Sequence, residues 1–420
     1  MMHSENKNTG NKVLYFTLLF LILFVMIASR RPDILLNAQP WAEDGAIWMQ
    51  SIHNDGFWST IFLPQNGYYQ TISKLSYGFG LLFGVKYAVL IANSIAISIR
   101  CMMVVFLLSS RFAAFRLYYR VFLAAYFILM PNLAEGYVNI TNAHWYLAMY
   151  LMLTLIAAAP RSKADIIHDY LVLFISALSG PFIVFIAPCL IIKRIYERGS
   201  VYSAIKEVNR YDILFGCLSL IQVFAILSTF SETRVATTLG ASYPLLADII
   251  LYKVFLGAFF DNVASIPLMQ NSLLNVIIFS IFLLCLLLML VRGDRIFKIC
   301  FLFPLLMIGF ALAKPMIASS GEQWPLLLLP GTGGRYFYVT NIFLFALLLY
   351  MVSKLGKYDK YILAVIIFIM VPLYGSYYKI PPLGEIGYKN SILEYESINV
   401  GESISIPINP PGWFLVLTKK

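Results

Sequence analysis

The sequence predicts an all-α integral membrane protein that crosses the bilayer many times and carries its functional residues on the extracytoplasmic face. Of the 420 residues, 60% are hydrophobic and only 12% are charged, whereas about 25% of the residues in a soluble domain are charged. Apolar segments long enough to cross the hydrocarbon core recur along the whole chain. The formal charge of +10 is spread over short loops. We therefore expect the lipid bilayer, and no nucleic acid, as a partner.

About 11 apolar segments are candidates for membrane spans. They cover residues 13–28, 85–108, 117–131, 143–159, 166–178, 181–192, 211–229, 270–291, 297–313, 338–353 and 361–377. The first segment lacks a small-residue cleavage pattern, which indicates an uncleaved helix. Segments 166–178 and 181–192 are short, and Ser179-Gly180-Pro181 separates them. A re-entrant hairpin and two spans are both compatible with this pair.

The charges of the loops predict the orientation. One set of loops carries 16 basic and six acidic residues and should face the cytoplasm. The other set is nearly balanced in charge and should face outward; these outer segments are residues 29–80, 132–142, 230–269, 314–337 and 378–420. An odd number of spans then places the N-terminus in the cytoplasm and the C-terminus outside.

Two domains are expected. Residues 1–377 form the polytopic transmembrane domain, with a large first extracytoplasmic loop at 29–80. Residues 378–420 form a small extracytoplasmic module. Residues 403–408 alternate between polar and apolar side chains, and Asn409-Pro410-Pro411-Gly412-Trp413 follows as a turn. This pattern predicts a β-strand in the module.

Adjacent carboxylates stand out in the first outer loop. Glu43 and Asp44 follow Pro40 and Trp41, and Pro40 suits the first turn of a helix lying along the membrane surface. The carboxylates could simply favour the start of that helix. Alternatively, one of them serves as a catalytic base. A helix start lowers the pKa of a carboxylate, so a base at this position requires burial or the neighbouring charge to offset that effect.

Outer basic and aromatic residues are candidates for substrate binding. Arg335 follows Gly331-Thr332-Gly333-Gly334 and could hold a phosphate through two hydrogen bonds, or it could extend to the membrane surface. Lys314, at an outer helix end, is a weaker phosphate candidate. His144 and Trp145 could bind a sugar or form an unremarkable interfacial pair. No metal cluster is expected, because the four histidines are scattered and the five cysteines lie in apolar segments.

All six tryptophans lie in or beside outer segments. They could form an interfacial aromatic belt, or a surface that stacks on sugar rings. They are Trp41, Trp48, Trp58, Trp145, Trp324 and Trp413. A belt is expected on both faces of a membrane, whereas these residues occur on one face.

Four motifs carry a resemblance to a known family. They are Trp41-Ala42-Glu43-Asp44-Gly45, Asn142-Ala143-His144-Trp145, Gly334-Arg335-Tyr336-Phe337 and Ile406-Pro407-Ile408-Asn409-Pro410-Pro411-Gly412-Trp413. The chain resembles polytopic glycosyltransferases of the GT-C architecture, and in detail the bacterial and phage glucosyltransferases that modify O-antigen.

The resemblance implies a location in the bacterial inner membrane, with the active site in the periplasm. It also implies a polyprenyl-phosphate sugar donor, with glucose as the expected sugar, and a lipid-linked or surface glycan as acceptor. Asp44 is then the expected base, with Glu43 beside it. The residues expected to contact substrates are Trp41, His144, Trp145, Lys314, Arg335 and Tyr336. The sequence identifies no definite cofactor, and a divalent cation stays an open alternative.

Two other functions remain open. A flippase or transporter of a lipid-linked sugar would cross the same membrane, but such proteins usually carry charged or broken helices at the midplane and related halves. A polysaccharide polymerase or ligase would use the same outer face and lipid-diphosphate donors.

Overall fold

The computed structural model describes residues 2–65, 67–229, 237–317 and 320–420, with side chains from residue 13 onward. Most of the chain is helical. The α-helices are α1 Met2–Arg30, α2 Asp33–Leu36, α3 Gln50–Asp55, α4 Phe57–Thr60, α5 Thr71–Leu81, α6 Val85–Leu108, α7 Leu117–Leu129, α8 Ala143–Ile156, α9 Lys163–Ala177, α10 Ile183–Arg198, α11 Val201–Lys206, α12 Arg210–Thr229, α13 Tyr243–Ile249, α14 Asn262–Ser265, α15 Ser272–Arg292, α16 Arg295–Ala313, α17 Gln323–Leu327, α18 Tyr338–Ser353, α19 Asp359–Ser376 and α20 Tyr388–Ser397.

Shorter helical pieces and one hairpin complete the fold. Asp44–Met49 and Ile250–Leu256 are π-helical, and five 3₁₀ turns cover Ser110–Phe112, Ala134–Gly136, Ile266–Met269, Gly334–Phe337 and Gly356–Tyr358. Strands β1 Ser403–Ile408 and β2 Trp413–Thr418 pair antiparallel, with Ile406 opposite Leu415. The predicted strand and turn near the C-terminus are thereby confirmed.

Seven helices within the described residues are long and apolar enough to cross a bilayer. They are Val13–Arg30, Val85–Leu108, Arg210–Ser228, Ser272–Arg292, Arg295–Ala313, Gly334–Ser353 and Gly356–Ser376. Large apolar side chains on the outer helices are exposed, for example Phe224 on α12 and Phe368 on α19. Such surfaces are stable in hydrocarbon rather than in water. The protein is therefore a helical membrane protein.

Four of the predicted spans correspond to shorter helices, α7 to α10, of 13 to 16 residues each. A bilayer normally requires about 20 residues. The total of 11 spans and the orientation therefore stay predictions. The turn after α9 lies deep in the protein: Leu178 O accepts from the Thr71 N–H at 2.9 Å, and Ser179 Oγ accepts from the Ile72 N–H at 3.0 Å.

The five predicted outer segments meet at one end of the helical bundle. The 132–142 segment contacts three of the others. Its Thr141 N–H donates to Asp44 in segment 29–80, and its Glu135 pairs with Arg335 in segment 314–337. Its Asn132 side chain donates to Gly257 O in segment 230–269. The C-terminal hairpin lies on the first outer segment. This convergence forms the candidate site.

Candidate functional site

The acidic motif does not form the interfacial helix that the sequence predicts from Pro40. Ala42 adopts a left-handed backbone with φ +44°, which interrupts a helix at that point. Trp41 instead forms a parallel β-bridge with Asn409, and helical structure begins at Asp44 as a π-helical turn. Trp41 is half-buried beside the C-terminal hairpin.

Asp44 is buried, with only 1% of its surface exposed. Its Oδ1 accepts a hydrogen bond from the Thr141 N–H at 2.8 Å. Burial raises the pKa of Asp44 well above its ordinary value, the Thr141 N–H opposes that shift, and Glu43 adds to it. The predicted lowering by a helix start is therefore outweighed by burial. Among the described residues, Asp44 forms no salt bridge.

The segment before α8 connects Asp44 to His144. Trp48 Nε1 donates to Thr141 Oγ1 at 3.1 Å, on the residue whose N–H reaches Asp44. The His144 ring lies within hydrogen-bonding reach of the Thr141 backbone carbonyl. Asn139 is buried, and its side chain donates to Glu135 O and accepts from Asn142.

An aromatic wall continues from His144. The Trp145 ring packs on Phe182 with ring centroids 4.6 Å apart, and edge-on against Tyr336 at 6.0 Å. Gln70, which the sequence did not single out, hydrogen-bonds His144 Nδ1 through its amide at 3.1 Å. Trp145 Nε1 is buried and has no partner within the described chain. Because an unpartnered buried donor is costly, this N–H is suited to a ligand oxygen.

Arg335 is engaged by an acid that sequence reasoning missed. Its Nη1 donates to Glu135 Oε1, and its backbone N–H donates to Glu135 Oε2 at 3.1 Å. Its Nη2 donates to Met316 O at 3.0 Å, and the guanidinium lies 4.9 Å from the Tyr336 ring centroid. About a third of the Arg335 side chain is exposed. Arg335 is therefore a cation that is oriented by protein groups and keeps an accessible side.

Buried cations hold the segments that carry this pair. Arg30 donates to Ile128 O at 2.5 Å, Arg31 donates to Ala134 O at 3.2 Å, and Arg100 donates to Gly136 O at 2.7 Å. Lys253 Nζ donates to Leu329 O and Thr332 O, which lie on either side of Gly331 in the segment that leads to Arg335. Burial lowers the pKa of Lys253 to about 8. These contacts fix the backbone on both sides of the Glu135–Arg335 pair.

Tyr68 shows that the carboxylates and the guanidinium share one site. The pKa of Tyr68 is raised to about 12, mainly by burial and also by the charges of Glu43 and Tyr336, while Arg335 opposes the shift. The Tyr68 ring centroid lies 6.1 Å from that of His144. In this site the half-buried residues are Glu43, Tyr68, Arg335 and Tyr336, and the buried ones are Asp44, His144 and Trp145.

Lys314 is exposed at the end of α16, two residues before Met316. Within the described chain, no group of three or more histidine, cysteine, aspartate or glutamate residues could hold a metal ion. The involvement of a divalent cation therefore stays an open prediction. The predicted role of Lys314 in phosphate binding likewise stays a hypothesis.

A search of known protein families, of characterised proteins and of solved structures found no match to this chain. The functional assignment therefore depends on the geometry of the site.

Proposed function

We propose that this protein transfers a sugar, with glucose as the expected one, from a polyprenyl-phosphate donor to a lipid-linked or surface glycan such as O-antigen. The reaction would take place on the extracytoplasmic face of a bacterial inner membrane. One observation carries the proposal. Asp44 is a buried carboxylate that has no counter-ion among the described residues. It lies in the same site as an oriented guanidinium, Arg335, and an aromatic wall whose Trp145 indole N–H has no partner within the described chain. This combination suits a sugar phosphate.

Asp44 is the proposed base. It takes the proton from an acceptor hydroxyl, whose oxygen forms a bond to the anomeric carbon while the bond from that carbon to the phosphate oxygen breaks. The bonding electrons leave with the polyprenyl phosphate. The raised pKa of Asp44 brings its proton affinity closer to neutral pH, where a general base is most effective. Glu43 increases that proton affinity and faces the hydroxyl groups of the substrates.

Arg335 and the aromatic wall are the proposed donor contacts. Glu135 orients the guanidinium, and the exposed side of Arg335 is available to a phosphate oxygen, where charge develops as the bond breaks. Tyr336, Trp145 and His144 provide a surface on which a sugar ring can pack. The Trp145 N–H can donate to a sugar hydroxyl.

An apolar cavity of about 590 Å³ supports a lipid-linked donor. Leu312 and Thr340 line it close in sequence to Lys314 and Arg335, and most of its wall consists of leucine, isoleucine and phenylalanine side chains. A hydrocarbon chain gains free energy from such a lining. The cavity would hold the part of the polyprenyl chain nearest the phosphate.

A lipid-linked sugar flippase is the second candidate, because the cavity also reaches Asp294 and Lys354 in the predicted cytoplasmic loops. A lipid carried between leaflets would follow such a route. A polymerase or ligase would share the acidic site but take lipid-diphosphate donors.

Reconstituted protein tests these alternatives. Purified protein in liposomes receives a radiolabelled polyprenyl-phosphate glucose and a lipid-linked glycan, with and without a chelator. Asp44→Asn should lower the transfer rate about 10²–10⁴-fold, as expected for loss of a general base. Asp55→Asn, which changes an exposed carboxylate of the same loop, should retain full activity.

The other outcomes are equally specific. Full transfer by Asp44→Asn contradicts the base assignment. Movement of the labelled lipid across the bilayer without transfer supports the flippase. Loss of transfer with the chelator supports a cation held by the carboxylates.

A further inference from the structure

The C-terminal hairpin contacts the acidic motif directly. The Ala42 N–H donates to Asn409 O at 2.5 Å. The Asn409 side chain donates to Gln39 Oε1 and to Gly384 O, both at 3.0 Å. Asn409 therefore hydrogen-bonds two separate segments. One is the stretch just before Glu43, and the other is the start of the C-terminal module at Gly384.

The residue next to Asn409 packs against the other side of the acidic pair. A Cβ atom placed on Gly45 would lie 2.6 Å from Ile408 Cδ1 and 3.2 Å from Pro40. Ile408 is buried at the end of β1. A methyl group on Gly45 would therefore have to displace the buried Ile408 side chain.

The backbone between these two contacts is strained. Ala42 has φ +44°, which an L-residue with a Cβ atom adopts only when its surroundings hold it there. Relaxation of Ala42 to an ordinary helical conformation would rotate Glu43 and Asp44 away from Thr141. The contacts at Asn409 and Ile408 are placed to prevent this.

The hairpin itself is held firmly on the first outer segment. Gln50 Oε1 accepts from the Val416 N–H at 2.8 Å, the Asn54 side chain donates to Val416 O at 2.8 Å, and Asn54 Oδ1 accepts from the Thr418 N–H at 3.1 Å. Side chains of α3 thus cover the edge of β2. A firmly docked hairpin can act as a rigid support.

We infer that Ile408 and Asn409 are positioning residues that hold Asp44 in its catalytic geometry. The hairpin fixes the backbone at Ala42 and Gly45, while the Thr141 N–H fixes the carboxylate. This inference rests on the proposed role of Asp44 as base. A displacement of about 1 Å in a reacting group can reduce a rate about 100-fold, so small changes at the hairpin should alter turnover.

A compensating pair of substitutions tests the contact. Gly45→Ala should lower kcat about 10–100-fold with little change in the KM for the donor. Ile408→Val removes the Cδ1 atom that the new methyl group would meet, so Gly45→Ala/Ile408→Val should recover most of the lost kcat. Ile408→Val alone loosens this contact and should lower kcat by less than Gly45→Ala does. Phe414→Ala, on the exposed face of the hairpin, should behave like wild type.

Two results would overturn the inference. One is full activity in Gly45→Ala. The other is a double variant no more active than Gly45→Ala, while both fold as judged by an unchanged melting temperature.

Hydrogen exchange provides a readout that does not depend on catalysis. In Ile408→Ala, the amides of residues 40–49 should exchange faster than in wild type, while α6 and α8 stay equally protected. Equal exchange at residues 40–49 would refute the positioning role. If the wild-type protein transfers no sugar, the proposed function fails, but the exchange result still decides whether the hairpin holds this segment.

Discussion

Two buried aspartates at different places in the molecule have opposite surroundings. Asp169 on α9 is 6% exposed. Arg111 Nη1 and Nη2 donate to its two carboxylate oxygens at 3.1 and 2.9 Å, and His168 Nδ1 lies 2.9 Å from Oδ1. Asp44 is even less exposed, and its carboxylate accepts a hydrogen bond from the Thr141 backbone N–H. One carboxylate is neutralised by a guanidinium, whereas the other has no counter-ion among the described residues.

The difference separates a structural carboxylate from a reactive one. A buried ion pair with two parallel hydrogen bonds connects α9 to the 110–112 turn and leaves no capacity for a substrate. A buried carboxylate without a cation holds its proton more tightly, which is a frequent property of catalytic groups. His168 Nε2 also bonds the Tyr150 hydroxyl at 2.8 Å, so both ring nitrogens of His168 are engaged within the protein.

The largest expected effect on stability comes from breaking the Asp169 pair. Arg111→Met should destabilise the protein by about 3–5 kcal/mol, because it leaves a buried carboxylate without its cation. The measurement is unfolding of the purified protein in detergent by heat or denaturant. Lys354→Met breaks the Lys354–Asp294 pair, in which the side chains are 60% and 46% exposed, and should change stability little. Equal stability of Arg111→Met and wild type would contradict the structural role of Asp169.

A smaller effect, on function, is expected at Arg335. Arg335→Lys cannot reproduce the fork of donors to Glu135 and Met316. Hydrogen bonds to charged groups contribute about 1.5–3 kcal/mol, so donor affinity should fall about 10–100-fold. Glu135→Gln should weaken binding in the same direction by releasing the guanidinium.

The control for these two variants is Lys389→Ala, an exposed residue of α20, which should bind the donor like wild type. Unchanged affinity in both Arg335→Lys and Glu135→Gln would mean that this pair serves only the packing of the outer segments.

The smallest expected effect is the pH dependence of stability at Asp44. Its pKa is raised in the folded protein, so the folded state binds the proton more tightly than the unfolded state does. Stability is then lost as the pH rises from about 4 toward the folded pKa. Asn keeps the acceptor for the Thr141 N–H but cannot ionise. Asp44→Asn should therefore match wild type at low pH and be more stable near neutral pH.

Parallel unfolding curves for wild type and Asp44→Asn at pH 4 and pH 7 check this prediction. The transfer rate of wild type should also rise with pH through the raised pKa of Asp44. A wild type that gains stability relative to Asp44→Asn as the pH rises would show that Asp44 has a cation partner in solution.

Local pattern was sufficient for several features of this protein. Long apolar segments predicted the seven long membrane helices, because hydrocarbon requires continuous apolar surface and internally paired backbone. Alternating residues 403–408 and the following turn predicted the hairpin. The acidic pair, Arg335, His144 and Trp145 were identified as candidates from residue type and from their place next to predicted spans.

Contacts between distant parts of the chain decided the rest. Arg335 and Glu135 lie 200 positions apart, and Asn409 meets Ala42 from the other end of the sequence, so no local pattern could pair them. A helix start by itself would lower the pKa of Asp44, and the burial that raises it comes from segments distant in the sequence. Residue type and periodicity follow from the sequence alone, whereas burial and partner identity depend on which segments the tertiary structure brings together.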